Sequence, residues 1–458
     1  MLVSLDTLRA DRVGAYGHAD AHTPNMDAFA GEAILFERAF SQASQTAPSH
    51  ASMFSSNYPS ELGSRGQGSS ITSPTPFLAE ILSIYGYQTA AFVAGGDLSP
   101  ERGLNVGFAT YTAAIDFGSL YHTMRPALTW LKQSDPSRPF FLFVHGYDAH
   151  PPYLKPSPFG YLHADKSYAG LGQTAALSST RQIVDGNLVP DFAALLKQFS
   201  TKLRPRDAAG RKAFEALSFP DGAPVAVAPE DLAHVSRVYD GAVSYADAMF
   251  GILMAGLEAQ GVLEKAVVVL MSDHGEQLGE HGLFWHGSGL EDEETHVVLM
   301  VRLPGGVGGG RRVSGLTELV DLLPTIVELA GAQPPAGIHG RSLVPALRGE
   351  PWVGRSFVHA QTNSQTRSVS VRGEIGRLTF NGLAPASRYL ADVVEASQIG
   401  GPGLVVSGGI SVAEGGPLRT EMVGWTQALK LPDATGVQKL SPALKATLEA
   451  NGYWGMDK

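Results

Sequence analysis

Short, strongly apolar runs alternate along the chain with longer stretches in which apolar residues return every three or four positions. That alternation predicts α/β layers around a largely parallel sheet. MLVSLD (1–6), TAAFVAG (89–95), PFFLFVHGYD (139–148), AVVVLMSDH (266–274) and VVLMVRLPG (297–305) are the expected strands. Val235, Val238, Ala242, Ala246, Met249, Leu253 and Leu257 keep helical spacing and predict a helix over 235–259. LTELVDLLPTIVELA (316–330) predicts another, with Pro324 as a kink or break. Three of the expected strands end in or just before Asp or His, and in such sheets ligands bind at the carboxyl ends of the strands. Polar residues at those ends are therefore the first candidates for chemistry.

Between about 155 and 234 the pattern weakens into Pro, Gly and Ser mixed with short helical pieces, which reads as an insertion over the active face. GGVGGGRR (305–312) reads as a flexible surface loop rather than a phosphate cradle, because no Lys-Ser/Thr follows it. After about residue 355 the texture shifts to Ser, Thr, Gly and alternating β patterns. SVSVRGEIGRLTF (368–380) predicts a hairpin and SPALKATLEANGYW (441–454) a closing helix. The expected organisation is a catalytic domain over 1–355 and a small C-terminal α+β domain over 356–458. No internal repeat is visible.

The bulk numbers narrow the function classes. A chain of 458 residues, 44% hydrophobic and 17% charged, is a globular protein with room for more than one core. The net charge of −10 argues against a general nucleic-acid binder. No apolar run approaches the roughly 18 residues needed to cross a bilayer. The absence of cysteine excludes disulfides, thiolate metal sites and cysteine nucleophiles. No basic segment followed by an apolar one marks a secretory signal, yet the chain opens directly on strand texture. An upstream segment is the expectation, and with it a periplasmic or secreted location.

Three ordered segments carry the chemistry: SLDTLRADRVGAYG (4–17), TAPSHASMFSS (46–56) and SDHGEQLGEHG (272–282). A metal hydrolase needs carboxylate and imidazole ligands converging from separate strand ends, and Asp6 and Asp273-His274 sit at two such ends. The three segments resemble the sulfatase branch of the alkaline-phosphatase superfamily. Weaker matches at GYQTAAFVAG (86–95), FFLFVHGYDAHPPY (140–153), YDGAVSYADAMFG (239–251) and LVDLLPTIVELAG (319–331) extend the resemblance. It implies an alkaline-phosphatase-like three-layer α/β/α fold with a central, mostly parallel sheet. It also implies one divalent ion held by Asp6, Asp273, His274 and the Thr46 hydroxyl. An Asp6 standing alone would read as a turn or helix-cap carboxylate.

Thr46 is where the chain departs from a true sulfatase. That family carries Cys or Ser at this position, oxidised to formylglycine, within a Cys/Ser-x-Pro-x-Arg motif; here the stretch is Thr46-Ala47-Pro48-Ser49-His50. Threonine has a β-methyl group, so its oxidation gives a ketone and not the aldehyde. A threonyl ester has no second hydroxyl for elimination, and water must attack sulfur or phosphorus directly. Phosphoryl groups permit that second displacement readily. The Thr-Asp-His variant is similar to phosphodiesterases, phosphonate hydrolases and phosphoglycerol or phosphoethanolamine transferases of the superfamily. Thr7 stands where a second early Asp is often found, and His274 where sulfatases place Asn. Exchanging a carboxylate for an imidazole moves the ion preference towards Zn²⁺ or Mn²⁺, with Ca²⁺ the alternative.

The supporting residues follow from the same resemblance. His150 in YDAHPPY resembles a family histidine that contacts substrate or leaving group, and His286 in FWHGSGL matches a recurrent family histidine near the substrate. His50 replaces the motif arginine and either binds a substrate oxygen or orients Thr46, against a simple packing role. His145 and Asp148 lie near His150 in sequence without completing a second metal site. Glu276 and His281 organise the turn after His274, and Arg9 forms an ion pair with Asp11. The expected activity is cleavage of a small-molecule, lipid-linked or glycan-linked phosphoester or phosphonate ester through Thr46. The alternatives are sulfate-ester hydrolysis without formylglycine, and a catalytically degenerate binding protein; joint retention of Asp6, Thr46, Asp273 and His274 speaks against the last.

Overall fold

A computed structural model describes residues 1–63, 70–113, 115–168, 228–281, 284–287, 289–362, 368–374, 376–381, 404–407 and 416–429, with two-residue strands at 183–184, 187–188 and 225–226. Eight strands form the central sheet: β1 (Leu2–Leu5), β2 (Ile34–Phe36), β3 (Gln88–Phe92), β4 (Thr110–Thr112), β5 (Phe140–Gly146), β6 (Val268–Met271), β7 (Leu299–Arg302) and β8 (Arg312–Val313). Their spatial order is β8-β2-β7-β6-β1-β5-β3-β4. The run from β6 to β4 is parallel, and β7 is antiparallel to both its neighbours. The five strands expected from the sequence are all present; β1, β5 and β6 stop short of Asp6, Asp148 and Asp273.

Period-two alternation sorts the side chains of the central strands into two layers. Val3, Leu5, Leu142, Val144, Val268 and Leu270 face a core shared with α1 (Pro24–Glu32), α3 (Leu120–Gln133) and α4 (Pro229–Ala259). Leu2, Phe141, Phe143, Val269 and Met271 face the opposite core, shared with α2 (Thr46–Ser55) and α5 (Leu322–Leu329). Because helices cover both faces, these strands read as unbroken apolar runs. Pro324 does not break its helix: it lies in the first turn of α5, where a missing N–H leaves no intrahelical bond unmade. Helix α4 has the length and apolar content of a membrane-crossing helix, yet its Val235, Tyr239, Ala246 and Phe250 are buried against the sheet.

The hairpin expected at 368–380 forms two strands of an antiparallel sheet, β9 (Val358–Gln361), β10 (Ser368–Arg372), β11 (Arg377–Asn381) and β12 (Leu404–Ser407). Leu418, Met422 and Trp425 of α6 (Gly416–Ala428) pack on Val369, Val371 and Leu378 of that sheet, together with Tyr58. The expected closing helix at 441–454 and most of the expected insertion fall outside the described residues.

Candidate active site

The parallel register puts three strand ends side by side. Leu2 pairs with both Val269 and Phe143, so β6, β1 and β5 finish together, and the Asp6 N–H donates to Gly146 O at 3.0 Å. Asp6 follows β1, and Asp273-His274 follow β6 across the intervening Ser272. The chain turns sharply after Asp6: Thr7 has φ of 57°, its N–H donates to Asp273 Oδ1 at 3.3 Å and its hydroxyl to Asp6 O at 2.7 Å. A non-glycine residue held there costs on the order of 1–3 kcal/mol, which the flanking bonds must offset.

Helix α2 supplies the hydroxyl. Thr46 is its first residue, fully buried, with Pro48 tolerated in the same first turn. The Thr46 hydroxyl donates to Asp6 Oδ2 at 3.0 Å, and Oγ1 lies 3.3 Å from His274 Nε2. The His274 ring is oriented by its Nδ1–H, which donates to Gly275 O at 2.9 Å and leaves the Nε2 lone pair facing Thr46. Ligand atoms of Asp6, Asp273 and His274 all lie within 4.8 Å of one another. Asp6 Oδ1 and Asp273 Oδ2 are buried and have no hydrogen-bond partner among the described residues.

The electrostatics of this cluster fit a cation. Burial, the largest influence, pushes the Asp6 carboxyl up to about 6, and the His274 charge opposes it. Burial and the Asp6 charge likewise raise Asp273. Burial would lower His274, but Asp273 and Asp6 outweigh it and raise the imidazole. Two buried carboxylates with orphaned oxygens, and an imidazole lone pair aimed at a hydroxyl oxygen, form a donor set that a divalent ion satisfies.

The remaining candidates fall in two groups. His150 and His286 lie beside the cluster, with ring centroids 5.2 Å apart, and His286 is 4.6 Å from the His274 ring. His286 Nδ1 lies 3.1 Å from the buried Glu276 carboxylate, whose pKa burial raises well above the usual range. His150 Nδ1–H donates to Pro151 O at 2.7 Å. His50 is placed differently. Its Nδ1–H donates to Thr46 O at 2.8 Å and its Nε2 accepts from the Ser4 hydroxyl at 3.0 Å. Both nitrogens are committed beneath the first turn of α2, an arrangement that anchors Thr46 and leaves no atom of His50 for a substrate oxygen.

Arg9 pairs with Asp11 through both Nε and Nη2 and also reaches Glu280, at 2.5 Å. His281 lies 3.1 Å from Glu293 at the surface. Asp148 accepts the Leu120 N–H at 2.7 Å, at the start of α3. Lys155 donates to His150 O at 2.9 Å; burial brings its amine down to about 8, and Asp148 opposes that. Two relationships are not predicted by the sequence reading: His145 Nε2 lies 3.3 Å from Asp6 Oδ2, and Glu276 backs His286. A histidine at the end of an apolar strand was the only pointer to the first.

Comparison with known proteins is consistent with this geometry. A sulfatase family profile matches residues 1–332. The chain is 29% identical over 243 residues to the multifunctional alkaline phosphatase superfamily protein PehA of Trinickia caryophylli, covering 53% of this chain and 43% of that protein. It is 37% identical over 118 residues to arylsulfatase K of Danio rerio, covering 26% of this chain and 22% of that one. The matches thus span less than half the length of these curated relatives. The phosphonate monoester hydrolase of Agrobacterium radiobacter shares the fold, with a TM-score of 0.64 at 18% identity over 96% of this chain and 99% of that chain.

Proposed function

Since the chain belongs to the sulfatase family of the alkaline-phosphatase superfamily, we propose that it hydrolyses phosphoesters or phosphonate esters with Thr46 as nucleophile. The observation that carries this reading is the Thr46 hydroxyl at a helix N-terminus, within 3.3 Å of both Asp6 and His274. Asp6, Thr46, Asp273 and His274 are the residues that would hold a divalent ion, with the imidazole favouring Zn²⁺ or Mn²⁺ over Ca²⁺. A bound divalent ion lowers the pKa of a coordinated hydroxyl and offsets charge on the transferred group.

The protein's own residues account for the rest. Helix α2 directs its positive end at the reacting oxygens. Asp6 Oδ2 holds the Thr46 proton and gives it a route away as the Oγ1–phosphorus bond forms and the ester bond to the leaving group breaks. His286, backed by Glu276, would supply the proton that a leaving oxygen needs, and His150 beside it would contact the leaving group. Water then attacks phosphorus and gives a proton back to His286, the threonyl bond breaks, and the proton held at Asp6 returns to Oγ1. No oxidation of Thr46 is required at any step. Small-molecule, lipid-linked and glycan-linked esters are the substrate classes this reading covers.

A second reading, sulfate-ester hydrolysis by the same unmodified threonine, is favoured by the match to arylsulfatase K. Rates on aryl phosphate, phosphodiester, phosphonate and sulfate esters, each with Zn²⁺, Mn²⁺ and Ca²⁺, separate the two. Turnover of sulfate esters alone would replace the first reading with the second.

A further inference from the structure

One buried imidazole next to the cluster has no role in the scheme above. His145 occupies the penultimate position of β5, alternating with Phe141 and Phe143 on the strand face that looks towards α2. Pairing of Ser4 with His145 sets it against β1, and its ring lies 5.3 Å from that of His50. Its Nε2 is 3.3 Å from Asp6 Oδ2, the oxygen that also receives the Thr46 hydroxyl at 3.0 Å. Its Nδ1 is buried and has no hydrogen-bond partner among the described residues.

Elementary hydrogen bonding fixes the tautomer. An ionised carboxylate only accepts, so a neutral His145 with its proton on Nδ1 would set two lone pairs against each other and bury an orphan N–H. A proton on Nε2 makes a charge-assisted bond instead. A carboxylate whose Oδ2 receives two donors is held in one rotation, which leaves Oδ1 as the atom without a protein partner. Imidazole-to-carboxylate bonds of this kind orient metal ligands from behind.

We propose that His145 is a positioning residue: its Nε2–H fixes the Asp6 carboxylate so that Oδ2 holds Thr46 while Oδ1 is presented to the ion. The assignment rests on the reading of Asp6 and Thr46 given above and adds to it a residue to which that reading gives no role. His145 acts through Asp6 and does not touch the substrate.

The test compares the wild-type chain with His145→Leu, which removes the donor at similar volume, and His145→Gln, whose amide nitrogen can take the place of Nε2. Each chain is stripped with a chelator and titrated with Zn²⁺ and with Mn²⁺ by calorimetry. His145→Leu should bind the ion about 10–100-fold more weakly, and His145→Gln should recover most of the loss. A ¹⁵N-histidine NMR spectrum of the wild-type chain, with the His145 signals identified by their loss in His145→Gln, should show the proton on Nε2. Wild-type affinity in His145→Leu overturns the proposal. So does a wild-type proton on Nδ1, and that readout decides the matter even where the leucine variant fails to fold. A wild-type chain that takes up no ion overturns the functional reading itself, and this proposal with it. Wild-type uptake with an unaffected leucine variant overturns only the role of His145.

Discussion

Thr46 Oγ1 lies 3.0 Å from Asp6 Oδ2 although the two residues are 40 positions apart and belong to different elements, the end of a strand and the start of a helix. The hydroxyl is therefore placed by the sheet-to-helix packing of the whole domain and not by a local turn. Asp273 closes the same cluster from the neighbouring strand end, and its Oδ2 has no hydrogen-bond partner among the described residues. Replacing Asp273 by Ala should strip the ion and most of the activity. Elemental analysis of purified protein checks this directly, and full metal content in the variant would remove Asp273 from the ligand set.

His286 should matter most when the leaving group is a poor one. Its Nδ1 faces Glu276 within a buried pair, which suits an imidazole that hands a proton to a departing oxygen. His286→Asn should cost about 10²–10⁴ in kcat on alkyl esters and much less on nitrophenyl esters, whose leaving groups need no proton. A plot of log kcat against leaving-group pKa reads this out. Equal slopes for variant and wild type would assign His286 to packing.

Gly275 should tolerate no side chain. A Cβ at this position would run into the Glu293 carbonyl oxygen, which belongs to backbone and cannot swing aside. The Gly275 and Glu276 N–H groups donate to Glu294 O and Glu293 O at 2.8 Å, so any shift there disturbs His274 as well. Gly275→Ala should destabilise by about 1–3 kcal/mol and weaken metal uptake together. Denaturant unfolding and metal titration of one sample measure both; a loss of neither would mean that this turn is slack.

What the sequence revealed and what it hid divides along physical lines. Apolar runs capped by Asp or His exposed the strand ends, because burial on both faces and a polar terminus leave a signal within a few residues. The partners of His50 and His145 left none. His50 meets Ser4 across 46 positions, and His145 meets Asp6 across 139, pairings fixed only by strand order and register. The Glu276–His286 pair depends on a reversal between two-residue strands (277–278 and 284–285) with Trp285 at φ 77° and Gly287 at φ 84°, too short for any periodicity to show. Pro324 reads as a break only if the helix begins at 316; it begins at Leu322, which puts the proline in the first turn.

A second buried charge cluster makes a pH prediction away from the site. Arg355 pairs with Glu318 at 3.0 Å and with Asp321, and His359 stands on the other side of Glu318. Burial alone would raise the Glu318 carboxyl, but Arg355 and His359 hold it at about 2, against an ordinary value of 4.5. A depressed carboxylate stabilises the fold fully above its unfolded pKa, and that contribution is lost as pH falls from 4.5 towards 2. Asp321, raised by burial despite the same guanidinium, works in the opposite direction, so the comparison must isolate Glu318. Glu318→Gln should lower Tm near neutral pH, and its gap to wild type should narrow steadily on acidification below 4.5. A gap that stays constant across that window would contradict the pairing.

The most direct test of the account is to look for the covalent state at Thr46. The metal-loaded chain is mixed with an aryl phosphate or phosphonate ester, quenched in acid within one turnover, digested, and read by mass spectrometry. The account predicts a phosphoryl or phosphonyl adduct on the peptide spanning Thr46, in a protein whose Thr46 is otherwise unmodified. It also predicts that Thr46→Ala shows no adduct and loses about 10⁴ or more in rate, while Thr46→Ser keeps part of both. Near-normal turnover by Thr46→Ala, with no adduct in the wild type, would contradict it and make water the nucleophile.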